Sequence, residues 1–177
     1  MDKLPERLQQ VIRNNEKILF YFNPPFKSPA PETSVSKWMK EVGLGRATSD
    51  LYTQFIFKVI NIIYTYNLTN SVVGVFSPSS YLKDNTGLLT YILKNMDFQE
   101  GIIFNSYEFA DTTSTDFWGI VCAIYTHKDL KTKQTGERVM RRVGVSDDGS
   151  VEEVSKIPLE IFQTKTNVLA SGLNLLN

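Results

Sequence analysis

An amide, two prolines and an aromatic ring follow one another at Asn23-Pro24-Pro25-Phe26. None of the four ionises, so the chemistry open to them is that of fixed acceptors and a flat apolar face. The Asn23 side-chain carbonyl and the Pro24 backbone carbonyl accept hydrogen bonds, and the prolines fix where those acceptors point. Phe26 offers a ring on which a planar group can stack. The four come directly after the apolar, aromatic run Ile18–Phe22. Such a run, stopped by Asn-Pro-Pro, predicts a strand buried on both faces. Neither proline can donate to a ladder, so the backbone leaves the sheet there. The four residues thus stand at the carboxyl end of a central strand, where ligand crevices of open α/β sheets lie.

The elements that position this loop are legible along the chain. Leu4, Leu8, Val11 and Ile12 repeat at helical spacing behind Pro5 and predict a short helix over 4–14. Residues 27–48 carry Pro29, Pro31, Gly43 and Gly45 and read as a long loop with a helical piece over 35–41. A helix capped at Thr48 or Ser49 follows, with Leu51, Phe55, Val59, Ile62 and Tyr66 on one face. A second buried strand, Val72-Val73-Gly74-Val75-Phe76, closes at Ser77-Pro78-Ser79-Ser80, where the serines are placed to cap a helix over 86–95. Strands over 101–104 and 118–125, separated by a polar segment, read as an antiparallel pair. The alternation predicts an α/β fold: a mainly parallel sheet, helices on its faces, and one antiparallel strand near an edge. Beyond it, Val139 to Val145 alternate, Asp148-Gly149 signals a hairpin turn, and Leu169, Leu173, Leu175 and Leu176 mark a weak terminal segment.

Composition narrows the function classes. With 177 residues, 42% hydrophobic and 21% charged, the chain fits one globular domain or most of one. Lys+Arg and Asp+Glu are both 19, so no global positive field argues for nucleic-acid binding by this chain alone. Arg138, Arg141 and Arg142 are read either as phosphate contacts or as a solvated strand face. The single Cys122 excludes an internal disulfide, and one cysteine with one histidine, His127, leaves no Cys/His zinc site. No run approaches membrane-spanning length and the first residues are polar, so a cytoplasmic protein with no membrane partner is expected.

From residue 4 to 125 the order of motifs resembles the adenine-specific amino-methyltransferases of restriction-modification systems, which use S-adenosylmethionine. Asn23-Pro24-Pro25-Phe26 looks like their catalytic loop, and Asp50-Leu51-Tyr52-Thr53-Gln54-Phe55 like their D-L-Y-x-x-F helix start. Val75-Phe76-Ser77-Pro78-Ser79-Ser80-Tyr81-Leu82 looks like their next strand and turn, and Phe117-Trp118 like the aromatic entry to their antiparallel strand. The resemblance implies a partial Rossmann-like methyltransferase sheet and catalytic roles for Asn23, Pro24, Pro25 and Phe26. It places Asp50, Leu51, Tyr52 and Phe55 beside the S-adenosylmethionine. Asp50 is equally readable as a helix cap, and Leu51, Tyr52 and Phe55 as core.

The family's cofactor site also needs an earlier strand ending in a glycine-rich turn. Here the only Gly-x-Gly, Gly43-Leu44-Gly45, lies after the loop strand and opens no dinucleotide-type unit. The expectation is therefore the back half of a class I catalytic domain over 1–127, with a hairpin extension over 128–177. Alone it would bind S-adenosylmethionine weakly or not at all. Its expected partners are DNA in the complete enzyme, and either the missing N-terminal half or a second copy across an exposed strand edge. Two other readings stay open: a non-catalytic binding or assembly module that keeps the fold, and methylation of another planar amine or amide, such as protein glutamine.

Overall fold

Strand β1 (Ile18–Phe22) ends where Pro24 and Pro25 deny the sheet its donors. A computed structural model describes residues 5–26, 32–108, 118–130 and 138–162. Helix α1 (Glu6–Arg13) leads into β1, with Pro5 at its N-cap. After the loop comes α2 (Ser34–Glu41), started by a reciprocal capping box. Thr33 Oγ1 accepts from the Ser36 amide, and Ser36 Oγ accepts from the Thr33 amide. A 3-10 turn over Gly45–Ser49 then delivers the chain to α3 (Leu51–Thr65). Strand β2 (Ser71–Pro78), helix α4 (Leu88–Asn95), strands β3 (Met96–Asn105) and β4 (Gly119–His127), and a hairpin of β5 (Val139–Val145) and β6 (Val151–Pro158) complete the order.

The six strands form one sheet in the order β1-β2-β4-β3-β5-β6. β1 pairs parallel with β2 and β3 parallel with β5, while β4 runs against both β2 and β3 and β6 runs against β5. Four strands therefore share one direction, giving the open, mainly parallel, Rossmann-like α/β sheet expected. The antiparallel strand β4 does not sit near an edge; it is inserted between β2 and β3. The hairpin turns at Gly149, whose φ of +83° suits the residue without a side chain.

The register assigns side chains to two faces. On one, Phe20, Val73, Tyr125 and Phe98 lie in line across the strands, followed by Val75, Ala123, Val121 and Ile103. This face is the core: Ile12 of α1, Met39 of α2, Ile56, Phe57, Ile60 and Ile63 of α3, and Leu88, Leu89 and Ile92 of α4 all pack into it. All four helices thus cover the same side.

Several sequence expectations are corrected. β1 is an edge strand rather than one buried on both faces, with Leu19 and Tyr21 66% and 67% exposed. The α3 core face is rotated by about one residue: Tyr52, Ile56, Phe57, Ile60 and Ile63 are buried, whereas Phe55 is 45% exposed and Leu51 only half-buried. Fifteen apolar-rich positions offered more than one stripe, and packing chose between them. Ser79 and Ser80 lie in a 3-10 turn (Ser79–Leu82) and do not cap α4, whose N-cap is Gly87 with φ +68°. Strand β3 begins at Met96, several residues earlier than expected, and accommodates a bulge between Phe98 and Glu100. Leu4, Pro29, Pro31, Phe117 and the leucines from Leu169 onward fall outside the described residues.

Candidate functional site

Parallel strands that share a direction bring their carboxyl ends to one side, and there four segments converge. They are the loop after β1, the 3-10 turn after β2, the start of α3, and the residues entering β4. Pro24 is buried and anchors its loop, while Asn23, Pro25 and Phe26 are exposed. Among the described residues the Asn23 side chain makes no hydrogen bond, so its carbonyl oxygen is open to a ligand. The Phe26 ring stands edge-on to two others: Tyr52 at 6.4 Å and 80°, and Trp118 at 5.7 Å and 87°. Edge-to-face packing of this kind fixes a ring while leaving part of its surface open.

Tyr52 is the buried support of this cluster, 4% exposed. Its hydroxyl hydrogen-bonds Ser80 Oγ and donates to Asp50 Oδ2 at 3.4 Å, joining the start of α3 to the turn after β2. Burial raises the Tyr52 pKa well above the ordinary phenol range; the Ser80 hydrogen bond opposes the shift and the Asp50 charge adds to it. The phenol therefore stays neutral and remains a donor. Asp50 occupies the N-cap position of α3, yet its carboxylate makes no capping bond and turns instead towards Ser49 and Tyr52. The segment is held instead by Thr53, whose Oγ1 donates to the carbonyls of Asp50 and Ala47, and by Gln54, whose Nε2 donates to Thr48 O at 3.1 Å. Thr33 Oγ1 closes the network by donating to Gln54 Oε1 at 2.6 Å. The segment before α3 is thus pinned by buried polar side chains.

Trp118 is the residue whose contribution sequence reasoning left unassigned. It enters β4 beside Gly119, where an added Cβ would lie 2.8 Å from Ser79 Oγ. A side chain at 119 would crowd Ser79 and Ile103, so glycine suits the close approach of β4 to the turn after β2, next to Trp118. The available signal was an aromatic residue followed by glycine at the start of the strand returning to the same side. Asn105, at the carboxyl end of β3 and paired with Gly119, is buried with Nδ2 donating to Tyr107 Oη at 2.9 Å.

The structure thus gathers Asn23, Pro24, Pro25, Phe26, Asp50, Tyr52, Ser80 and Trp118 at one end of the sheet. Leu51 and Phe55 lie one and three positions from Tyr52 along α3 and do not join the ring cluster. Arg138 and Arg141 lie away from it and pair with Asp97 at 3.3 Å and Glu100 at 3.7 Å. Among the described residues no group of His, Cys, Asp and Glu is arranged to hold a metal, and no helix is long and apolar enough to cross a membrane.

A solved structure shares this fold. Over 77% of its length the chain is similar to the type IIL restriction-modification enzyme MmeI in complex with DNA, with a TM-score of 0.51 and 18% identity, spanning 18% of that chain. A DrdV–DNA complex is similar over 93% of this chain, with a TM-score of 0.47 and 14% identity, again spanning 18% of that chain. The chain therefore spans less than a fifth of the length of either protein. No family model matches it, and no curated relative does.

Proposed function

We propose that this chain is the target-base half of a DNA adenine methyltransferase of the restriction-modification kind, using S-adenosylmethionine and inactive alone. The observation that carries the reading is the Asn23-Pro24-Pro25-Phe26 loop at the carboxyl end of a parallel strand, its aromatic ring braced by Tyr52 and Trp118.

An adenine amine donates its lone pair to the ring and is a poor nucleophile. The Asn23 side-chain carbonyl and the Pro24 backbone carbonyl accept its two hydrogens, which favours a pyramidal nitrogen with its lone pair directed outward. The prolines hold both acceptors in place before the base arrives, so little reorganisation remains at the moment of reaction. Phe26 takes the face of a base extruded from the duplex, a contact worth about 1–3 kcal/mol. S-adenosylmethionine supplies the electrophilic methyl group. The described residues do not build a complete pocket for it. The described glycines with positive φ, Gly43, Gly87 and Gly149, sit after α2, at the α4 N-cap and in the hairpin, none in a glycine-rich turn directly after a strand. Asp50 already faces Ser49 and Tyr52. Asp50, Leu51, Tyr52 and Phe55 are accordingly proposed as one wall of a cofactor site whose remainder lies in another unit.

The test is single-turnover transfer of labelled methyl to adenine in duplex DNA, with the catalytic domain completed. Asn23→Ala should lower the rate by about 100-fold or more, the scale of losing one fixed transition-state contact, with an unchanged melting temperature. Near-normal turnover by Asn23→Ala removes the mechanism. Calorimetry giving a micromolar constant for S-adenosylmethionine and the chain alone removes the division between two units.

A further inference from the structure

The Phe26 ring is 40% exposed and meets both of its aromatic supports edge-on. Edge-to-face contacts are weak one by one, so the ring is held only as firmly as Tyr52 and Trp118 are. Neither support belongs to its own loop. What fixes the two supports therefore decides where a planar group on Phe26 comes to lie.

Both supports lead back to one turn. Asp50, as a carboxylate, can only accept, so the Tyr52 phenol proton goes to its Oδ2 and Ser80 Oγ donates to the phenol oxygen. The Asp50 bond ties the ring tip to a residue two positions away, at the start of the same helix. The Ser80 bond spans 28 residues and ties it to the turn Ser79–Leu82, which continues β2. Of the two, only the second refers the ring to the sheet. The Trp118 side starts from the neighbouring residue. Ser79 lies against Gly119, where an added Cβ would stand 2.8 Å from Oγ and 3.3 Å from Cβ, and Trp118 directly precedes that glycine.

The acceptors of the loop refer to the same strand. β1 pairs with β2 up to Phe22 opposite Val75, and Asn23 and Pro24 follow at once. β2 runs on through Pro78 into Ser79 and Ser80. Acceptors and ring are thus both indexed to β2, the first by strand pairing and the second by a hydroxyl.

We propose that Ser80 is a positioning residue: through Tyr52, its hydroxyl holds the Phe26 ring in place and tilt relative to Asn23 and Pro24, and so fixes the plane of the base stacked there. The stacked base is taken from the methyl-transfer reading, whereas the placement of the ring rests on the geometry alone. Ser80 acts through the phenol and not on the base.

The first test needs no activity. In the full chain, Ser80→Ala should shift the ring-proton signals of Phe26 and Trp118, and Tyr52→Phe should shift them in the same direction. Ser80→Thr keeps the donor and should retain the wild-type positions. Signals from Val145 and Val151 in the hairpin should stay fixed in all three variants. Unmoved ring signals in both Ser80→Ala and Tyr52→Phe would overturn the proposal. So would equal shifts in Ser80→Thr, which would make space at this position, and not the hydrogen bond, the cause.

The second test is single-turnover methyl transfer by the completed catalytic domain. Ser80→Ala should lower the rate at saturating DNA by about 10-fold, the scale of a partial misplacement of a reacting group. With Phe26→Ala already in place, adding Ser80→Ala should change the rate by less than about twofold, because the ring it places is gone. A further loss of ~10-fold in that background would show that Ser80 acts through another group and would overturn the proposal. A wild-type domain that transfers no methyl would end the methyl-transfer reading and leave the ring signals to decide the placement of Phe26.

Discussion

At one edge of the sheet β6 carries exposed Glu152, Glu153 and Lys156, ends in Pro158, and twists away from its partner at a bulge between Arg142 and Val143. At the other, β1 has five apolar residues, no charge and no bulge. Charges, proline and bulges are the devices that keep an edge from pairing with another chain. β6 has all three although its exposed Val151 and Val154 would otherwise make it adhesive. The first edge thus carries these protections and the second, among the described residues, carries none. The ring cluster belongs to the second. Phe26 and Trp118 gather where the sheet stays open, and the hairpin side carries ion pairs on an exposed face, where such pairs contribute about 0–1 kcal/mol each.

The sharpest way to break this comparison is to damage the two sides in turn. In the completed enzyme Phe26→Ala should lower use of the target base by roughly 5- to 150-fold, the range of one lost stacking contact. Arg141→Ala in the hairpin should leave turnover within about twofold, since it removes only an exposed ion pair. Equal losses in steady-state kinetics would mean that the hairpin also touches the substrate. A smaller effect sharpens the contrast at β6. Glu153→Val with Lys156→Val should change stability by no more than about 0.5 kcal/mol, yet raise the mass seen in light scattering by opening a second adhesive edge. An unchanged mass would show that charge is not what keeps β6 alone.

The smallest expected effect concerns the turn that orients β6. Hydrogen bonds from Ser150 and from Ser146 hold the Asp148 carboxyl down to about 2. A depressed carboxylate contributes its stability above the unfolded value of about 3.9 and loses it as pH falls through the folded one. Amide signals from Ser146 to Ser150 should therefore shift between about pH 4 and pH 2 while those of β1 stay fixed, and Asp148→Asn should abolish the shift. Movement of β1 over the same range would couple the two edges.

Local chemistry made much of this protein legible in its sequence. The bounds of β1 could be read to the residue because a run of apolar residues met two prolines, and neither can be argued out of its effect by packing. The Asp148-Gly149 turn was legible for the same reason, since positive φ favours glycine wherever it falls. For the loop Asn23–Phe26, residue types supplied a chemical expectation, and the structure shows the loop's position and its ring contacts. The alternation of helices and strands likewise gave the sheet and its mainly parallel character. What the sequence left undecided depended on which surfaces meet. Helix α3 is apolar on most sides, so its stripe could not reveal whether Phe55 or Ile56 would be buried; the neighbouring α2, α4 and β2 chose Ile56. Ser80 and Asp50 looked like local caps, but a buried hydroxyl needs a partner, and Tyr52 brought together two segments 28 residues apart. Trp118 became a neighbour of Phe26 only because β4 inserts beside β2, with Gly119 admitting the turn. The edge position of β1 is a property of the strand order, which no periodicity within Ile18–Phe22 could express.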